Sequence, residues 1–296
     1  MTTLIGVDPK KYHADDAAIM GPVPRLSSSM AGVIDTRSPA HAHARHPRLG
    51  GCAPEEHSEA FDLGATSHAL LLGTGKAIVV VDEKDWRKDV AKDARDAARK
   101  AGSVPMLRRH YDEAVEVADT LRQRFAALGY ALDGASEVVA LWDERADNGN
   151  AVPCKAMFDH VKGPDIFDLK SCASAHPEAI QRSVETYGYA IQRAAYVSAL
   201  ETIEPRWAGR ATFTFLFYEL VPPFVVHPVT LAGSYATLGA RKWRRSVNTW
   251  EQCMREGDWP GYARSSRPTA IDAPGWAESK DMDRHMDTES IMDGET

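Results

Sequence analysis

Three charged residues near the middle of the chain have types and spacings that could support phosphodiester chemistry. Asp159 ends one apolar run, Asp168 and Lys170 stand two residues apart in the next, and a turn motif, KGPD, separates the two runs. A hairpin over this turn should bring Asp159 beside Asp168, with Lys170 on the same strand face as Asp168. Two converging carboxylates suit Mg²⁺ or Mn²⁺, and a neighbouring ammonium could orient a water molecule and offset transition-state charge.

A simpler interpretation of the same stretch stays open. Lys162 and Asp165 could be solvent-exposed residues of a surface turn, while Asp168 and Lys170 form an ordinary ion pair on one face of a strand. A D-x-K tripeptide is short enough to occur often by chance. The apolar residues around Leu169 favour a functional site, because charges in a buried strand are costly unless they are paired or used.

The elements that would position these residues alternate between helical and strand patterns. Helices are predicted over residues 63–72, 85–101, 111–128, 177–200 and 234–256, and strands over 77–81, 137–142, 152–159, 165–170, 211–220 and 224–229. The three central strands are most simply a meander. This order indicates an α+β fold with a mixed central β-sheet flanked by helices.

Composition divides the chain into three regions. Residues 1–60 are interrupted by Pro, Gly, Ser and His too often for long elements, which predicts an N-terminal arm of short helices and loops. Residues 61–270 form the main domain. Residues 271–296 are an acidic C-terminal tail, with eight acidic and two basic residues, so the tail carries almost all of the net charge of −7. The near-neutral remainder could still present a basic groove to a polyanion.

Targeting signals and membrane spans are not evident in the sequence. The first residues lack a basic flank and a long apolar stretch, and no run of about 18 apolar residues occurs. The four cysteines are widely spaced, without a C-x-x-C pair, which predicts reduced thiols. We therefore expect a soluble cytoplasmic protein with no membrane partner.

Two further motifs could carry chemistry. His41, His43 and His46 could begin a zinc site, but a solvated histidine-rich loop is favoured because no nearby carboxylate or cysteine completes four ligands. The basic run Arg241–Arg245 could contact a DNA backbone or form a solvated helix face. Both interpretations of the basic run stay open.

The hairpin resembles the core of the PD-(D/E)xK nuclease superfamily, and its surroundings resemble the RecE-type phage exonucleases within it. Gly64–His68 is similar to the G-x-x-x-H element of that group, and Gln192–Tyr196 to its Q-x-x-x-Y helix. Further similar phrases are Ser38-Pro-Ala-His41, the charged helix from Asp85, Trp259-Pro-Gly-Tyr262 and Ala273-Pro-Gly-Trp276. The resemblance covers about residues 25–278, and the order and spacing of the motifs give it its specificity.

The resemblance implies roles for the hairpin residues. Asp159 and Asp168 would be metal ligands, the Leu169 carbonyl a further ligand, and Lys170 the residue that positions water and stabilises charge. One departure is that Phe158, not proline, precedes Asp159, whereas a literal Pro-Asp pair occurs at Asp165. Because Asp165 is three positions from Asp168 and cannot reach it across a turn, Asp159 is preferred.

Four residues outside the hairpin also acquire roles from the resemblance. Gln192 and Tyr196, one helical turn apart, would orient the attacking water or the scissile phosphate; the alternative is a surface glutamine and a core tyrosine. His68 would be a metal ligand or phosphate contact, or else a satisfied core histidine. Glu137, at the start of the preceding strand, could support a second metal or bind Lys170.

The function implied by the resemblance is that of a Mg²⁺- or Mn²⁺-dependent exodeoxyribonuclease. It would degrade one strand of linear double-stranded DNA, 5′ to 3′, for phage-type homologous recombination, as a ring-shaped homo-oligomer with a single-strand annealing protein as partner. A phage-encoded protein of this kind would act in the host cytoplasm. Two alternatives are a single-strand or site-specific nuclease with the same core and a catalytically silent DNA-binding protein.

Overall fold

Strands and helices alternate along most of the chain in the computed structural model, which describes residues 1–51, 59–263 and 267–292. The strands are β1 (Thr2–Leu4), β2 (Ile78–Val81), β3 (Val104–Leu107), β4 (Ala135–Arg145), β5 (Ala151–Lys162), β6 (Asp165–Cys172), β7 (Thr212–Glu219) and β8 (Val226–Val229). The helices are α1 (Pro9–His13), α2 (Ala17–Met20), α3 (Ser28–Thr36), α4 (Pro39–Arg45), α5 (Glu59–Leu72), α6 (Asp89–Lys100), α7 (Arg108–Ala127), α8 (Pro177–Tyr187), α9 (Tyr189–Ile203), α10 (Gly233–Glu256) and α11 (Gly275–Met292). Two compact units result, Met1–Trp259 and Pro260–Thr296.

A six-stranded mixed sheet forms the centre of the first unit, in the order β1-β4-β5-β6-β7-β8. Strands β4, β5 and β6 are antiparallel neighbours, so the predicted meander is present. Strand β7 runs parallel to β6, and the crossover between them contains α8 and α9, as parallel pairing requires. A separate pair, β2 and β3, is parallel. Among the described residues, no helix combines the length and apolar character needed to cross a bilayer.

Strand β6 shows how the sequence assigns the two faces of the sheet. Alternate residues of a strand point to opposite faces. Ile166 belongs to the core beneath α9, while Phe167 and Leu169 pack into a second core with α5 and α7. Asp168 and Lys170 continue the alternation that Ile166 begins, so they share the α9 face. The apolar residues on both sides bury Asp168, which is 1% exposed.

The predicted helix over residues 177–200 is two helices. Helix α8 ends at Tyr187 and α9 begins at Tyr189, because Gly188 adopts a left-handed conformation with φ of 67°. Glycine tolerates this conformation without the Cβ penalty and commonly ends a helix. The apolar periodicity continues across the break, and for that reason the sequence pattern did not reveal it.

Residues 1–51 pack onto the sheet through a buried ionic cluster and backbone pairing. Asp15, which has a φ of 53° and is fully buried, forms ion pairs with Lys155 Nζ at 2.9 Å and Arg48 Nη1 at 3.1 Å. The Leu26 amide donates to the Pro153 carbonyl, and the Lys155 amide donates to the Leu26 carbonyl, both at 2.9 Å. This segment is therefore hydrogen-bonded to β5. The domain boundaries after residues 60 and 270 stay predictions.

The histidine cluster is neither a loop nor a zinc site. His41 and His43 lie in α4, and His46 caps its end. The His41 Nδ1 atom lies 2.6 Å from Ser38 Oγ, His43 packs on Trp259, and His46 is buried with its Nε2 atom 3.3 Å from the Arg25 carbonyl. Since the three rings have different partners, the solvated-loop interpretation is corrected to a packed helix.

The basic run in α10 is mostly engaged within the protein. Lys242 pairs with Asp35 of α3 at 3.0 Å, and Arg245 pairs with the same carboxylate. Arg244 donates to the Arg145 carbonyl, and Trp243 is buried. These contacts hold α10 against α3 and β4, which favours a structural role over a dedicated DNA-backbone patch.

A close helix contact supports the position of α9. A Cβ atom added to Gly239 of α10 would lie 2.1 Å from the Ala190 carbonyl oxygen, whereas one added to Gly233 of the same helix would meet nothing within 4 Å. We expect Gly239→Ala to lower the free energy of unfolding by about 1–3 kcal/mol, because the helices must separate. Gly233→Ala, the matched control, should leave it unchanged or slightly higher. Equal urea midpoints for the two variants would contradict this contact.

Candidate active site

The candidate site forms where β5 and β6 diverge. Their pairing covers only three residue pairs, from Lys162↔Asp165 to His160↔Phe167. Beyond His160 the strands separate, and we call this opening the fork. In the fork, the Leu169 amide donates a hydrogen bond to the Asp159 carboxylate, at 2.8 Å from Oδ2, and not to a backbone carbonyl of β5. The N–H and C=O of one strand residue point to the same side, so the Leu169 carbonyl also faces Asp159.

Asp168 lies on the other arm of the fork and has two partners. Lys170 Nζ forms an ion pair with Asp168 Oδ1, and Gln192 Nε2 donates to Asp168 Oδ2 at 2.6 Å. Tyr196, one turn further along α9, is 8% exposed and packs edge-on against Phe158. The hairpin and the α9 motif therefore meet as the sequence predicts, although Tyr196 is also the core tyrosine of the alternative interpretation.

His68 and Glu137 complete the cluster from neighbouring elements. His68 Nε2 of α5 lies 3.0 Å from Asp159 Oδ2, and His68 Nδ1 lies 3.7 Å from Glu137 Oε1. Glu137 has a φ of 53°, and the Glu137↔Asp159 pair is absent from the otherwise continuous β4–β5 register. A left-handed glutamate in a strand is unusual, and such local strain is often found at functional sites. The kink lies opposite Asp159, at the fork.

The charges of the site are closely balanced. Burial raises the pKa of Asp168 to about 6 against the opposing effect of Lys170. Burial also favours neutral Asp159, yet His68 and Lys170 outweigh it and hold the pKa of Asp159 below its usual value. Burial would lower the pKa values of His68 and Lys170, but the carboxylates outweigh it and raise both. Three acids, Glu137 included, and two bases thus share one cluster.

The donor set fits a hard divalent cation. Carboxylate and carbonyl oxygens are the ligands that Mg²⁺ prefers, and Asp159, Asp168, Glu137 and the Leu169 carbonyl supply them. Glu137 Oε2 is buried without a hydrogen-bond partner among the described residues, and burial raises the pKa of Glu137; a cation would satisfy this oxygen. Within the described ranges, no three His, Cys, Asp or Glu side chains are already arranged as a metal cluster; His68 pairs with Asp159 and Lys170 pairs with Asp168.

The fork opens into a wide cleft. Its volume is about 1130 Å³, above the roughly 300–1,000 Å³ typical of small-molecule pockets. Asp62 and Arg99, which pair at 2.7 Å, lie on its wall. Apart from Lys155, whose charge the buried Asp15 balances, the basic side chains that line it are Arg37, Arg45, Lys76, Arg99 and Lys170. They outnumber the lining acids Asp62, Asp159 and Asp168, which favours an anionic substrate.

The structure also separates site residues from their neighbours in sequence. Asp165 accepts a hydrogen bond from Thr212 at 2.7 Å, and Lys162 pairs with Asp133 at 2.8 Å, so both belong to the surface of the hairpin. Tyr189 was missed: its ring lies 5.0 Å from Lys170 Nζ. Its spacing of three residues before Gln192 places it on the same helix face and could have revealed it.

Gln192 offers a test of the α9 contribution. If the site hydrolyses phosphodiesters, as its residues predict, Gln192→Ala should lower kcat about 10- to 100-fold, because Asp168 loses the hydrogen bond that fixes its orientation. Steady-state kinetics on a linear duplex would measure the effect. Gln123→Ala, at an exposed position of α7, is the matched control and should match the wild type; equal rates for both variants would remove this role.

Comparison with known proteins gives a family match and structural neighbours. The model of a family described as "PDDEXK-like domain of unknown function (DUF3799)" matches residues 27–267. A crystal structure of a candidate exonuclease from Eubacterium rectale aligns with a TM-score of 0.57 at 13% identity, covering 92% of this chain and 96% of that one. A phage-related exonuclease from Haemophilus somnus 129PT aligns with a TM-score of 0.30 at 13% identity, covering 66% and 96%. No curated protein matches the chain.

Proposed function

The chain belongs to the PDDEXK-like domain family DUF3799, and from this premise we propose that it is a metal-dependent exodeoxyribonuclease that degrades linear double-stranded DNA from an end. The family resemblance and the α+β fold class predicted from the sequence are confirmed. The activity is our inference. One observation carries it: Asp159, Asp168 and Lys170 converge at the fork, on the floor of a basic cleft.

Each residue at the fork has a definite part in the proposed hydrolysis. Asp159, Asp168 and the Leu169 carbonyl would hold Mg²⁺ or Mn²⁺, with Glu137 and His68 beside them, and the ion would supply Lewis-acid activation and charge neutralisation. The Lys170 ammonium, which pairs with Asp168, would stabilise the negative charge that develops on the phosphate oxygens. Gln192 fixes the Asp168 carboxylate, and Tyr196 borders the cleft beside it.

The experiment that tests this function is a digestion of end-labelled linear DNA with Mg²⁺ titrated from zero. We expect no cleavage with EDTA, recovery on adding Mg²⁺ or Mn²⁺, and loss of linear duplex while covalently closed circles persist. Cleavage of circles would favour a site-specific nuclease, and cleavage of single strands alone would favour the single-strand alternative. DNA binding without cleavage at any metal concentration would favour the catalytically silent protein.

The finer parts of the proposal come from the resemblance of motifs such as Gln192–Tyr196. They are 5′ to 3′ polarity, a role in phage-type recombination, a ring-shaped homo-oligomer and a single-strand annealing partner. Strand-specific end labels would test the polarity. Sedimentation of the pure protein would test the ring, and a monomer at all micromolar concentrations would count against it.

A further inference from the structure

A pair of stacked tyrosines, Tyr187 exposed and Tyr189 half-buried, stands beside the candidate active site. Tyr187 ends α8 and Tyr189 begins α9, and the left-handed turn at Gly188 brings their rings together. The ring centroids lie 5.7 Å apart with planes inclined by 28°, and Tyr189 stacks in turn on Phe215 at 5.1 Å. This geometry is an offset aromatic stack that ends at the protein surface with Tyr187.

The stack is physically connected to the fork. Lys170 Nζ lies 5.0 Å from the centroid of the Tyr189 ring, in a cation–π contact. Together with the spacing of the two tyrosines, this places the Tyr187 ring within about 11 Å of the Lys170 ammonium. Four steps of about 3.4 Å along a DNA strand cover that distance. A strand whose phosphate lies at Lys170 can therefore reach Tyr187 with a nearby base.

Tyr187 is unusual in its exposure. Its relative exposure is 68%, and among the described side chains up to Trp259 no other Phe, Tyr or Trp is classed as exposed. A single exposed apolar residue needs no explanation by itself. Tyr187, however, is held in place by Tyr189 on one ring face and leaves the other face open to solvent. Preorganisation of this kind lowers the ordering cost of binding a flat ligand.

We propose that Tyr187, supported by Tyr189, is a stacking platform for an unpaired base of the DNA strand that enters the fork. The inference rests on the proposed function, since it takes the strand at Lys170 to be DNA. An exonuclease that draws one strand of a duplex end into a fork of this kind separates that strand from its complement near the cut, which exposes base faces to water. Stacking on an aromatic side chain accepts any base, so the platform gives specificity for melted ends without sequence preference.

The test compares two DNA probes and four proteins. Each probe is a hairpin duplex with a short unpaired strand. The unpaired strand has phosphorothioate linkages, and binding is measured in Ca²⁺ without Mg²⁺, so that the probe is not cleaved. One probe carries 2-aminopurine at the first unpaired position, and its matched control carries an abasic residue there. Binding of both probes is measured for the wild type, Tyr187→Ala, Tyr187→Leu and Tyr187→Phe. Quenching of 2-aminopurine fluorescence reports stacking directly.

We expect the wild type to bind the base-containing probe about 5- to 100-fold more tightly than the abasic probe. Tyr187→Ala and Tyr187→Leu should abolish this ratio and the quenching while binding the abasic probe as before, and Tyr187→Phe should keep both. A ratio unaffected by Tyr187→Ala, or absent in the wild type, would overturn the platform even if the protein digests linear DNA. If the affinity ratio depends on Tyr187 but the protein cuts no DNA, the stacking platform is supported and the proposed nuclease activity is rejected.

Discussion

Replacing Lys170 by methionine should reduce the rate of DNA cleavage by at least about 100-fold, the loss expected when one preorganised electrostatic contact to the transition state is removed. Methionine preserves much of the apolar stem of the side chain and removes the ammonium that pairs with Asp168. Single-turnover digestion of a linear duplex with saturating Mg²⁺ measures the effect on the chemical step.

The folded state should survive this substitution. The pKa of Asp168 is already raised to about 6, and loss of the neighbouring ammonium raises it further, so the carboxyl can take up a proton instead of remaining as an unpaired buried charge. We therefore expect a thermal midpoint close to that of the wild type. Lys162→Met, at an exposed lysine of the same hairpin, is the matched control. Wild-type cleavage by Lys170→Met would remove Lys170 from the active site.

Replacing Asp15 by asparagine should lower the free energy of unfolding by about 3–5 kcal/mol at pH 7, because it leaves the Lys155 ammonium buried without its carboxylate. Asparagine tolerates the left-handed backbone of this position, so the change tests the charge. Asp16→Asn is the matched control, since Asp16 caps α2 and asparagine caps a helix equally well. Equal urea midpoints for the two variants would show that the cluster adds no stability.

The Asp15→Asn variant also has an expected pH dependence. Burial lowers the pKa of Lys155, and Asp15 opposes that effect, so the variant should lower this pKa further. Between the folded-state pKa and the ordinary value of 10.5, the unfolded chain binds more protons than the folded one, and stability rises with pH. The deficit of the variant relative to the wild type should therefore be smaller at alkaline pH than at pH 7. Urea titrations across that range measure it.

Local patterns predicted the parts of the site that are close in sequence. Two apolar runs and a KGPD turn were sufficient to place Asp159 beside Asp168, since a hairpin needs only a turn and alternation. The helical spacing of Gln192 and Tyr196 placed both on one face of a helix. Features that depend on pairings distant in sequence could not be predicted. The left-handed φ of Glu137 is one of them, because it arises opposite Asp159, twenty-two positions away, and no local propensity encodes it.

Contacts across the fold also explain the predictions that were wrong. The histidine motif is predicted to be a loop because small residues and prolines surround it. In the structure, however, His46 is buried and packs on Trp250. Strand β1 was missed because three residues carry too little pattern, and its partner β4 lies more than a hundred residues further along. Tertiary context decided each of these outcomes, as it usually does for short segments.

The pairing of Leu26 with β5 has a consequence for any shortened version of the protein. Where β6 turns away at the fork, the Leu26 backbone occupies the edge of β5 at Pro153 and Lys155. A chain that starts after residue 51 would expose this edge together with the apolar surface beneath it, and uncovered strand edges invite pairing between molecules. Truncation would therefore be expected to produce aggregates, because residues 1–51 cover an edge of β5 that would otherwise be open to strand pairing between molecules.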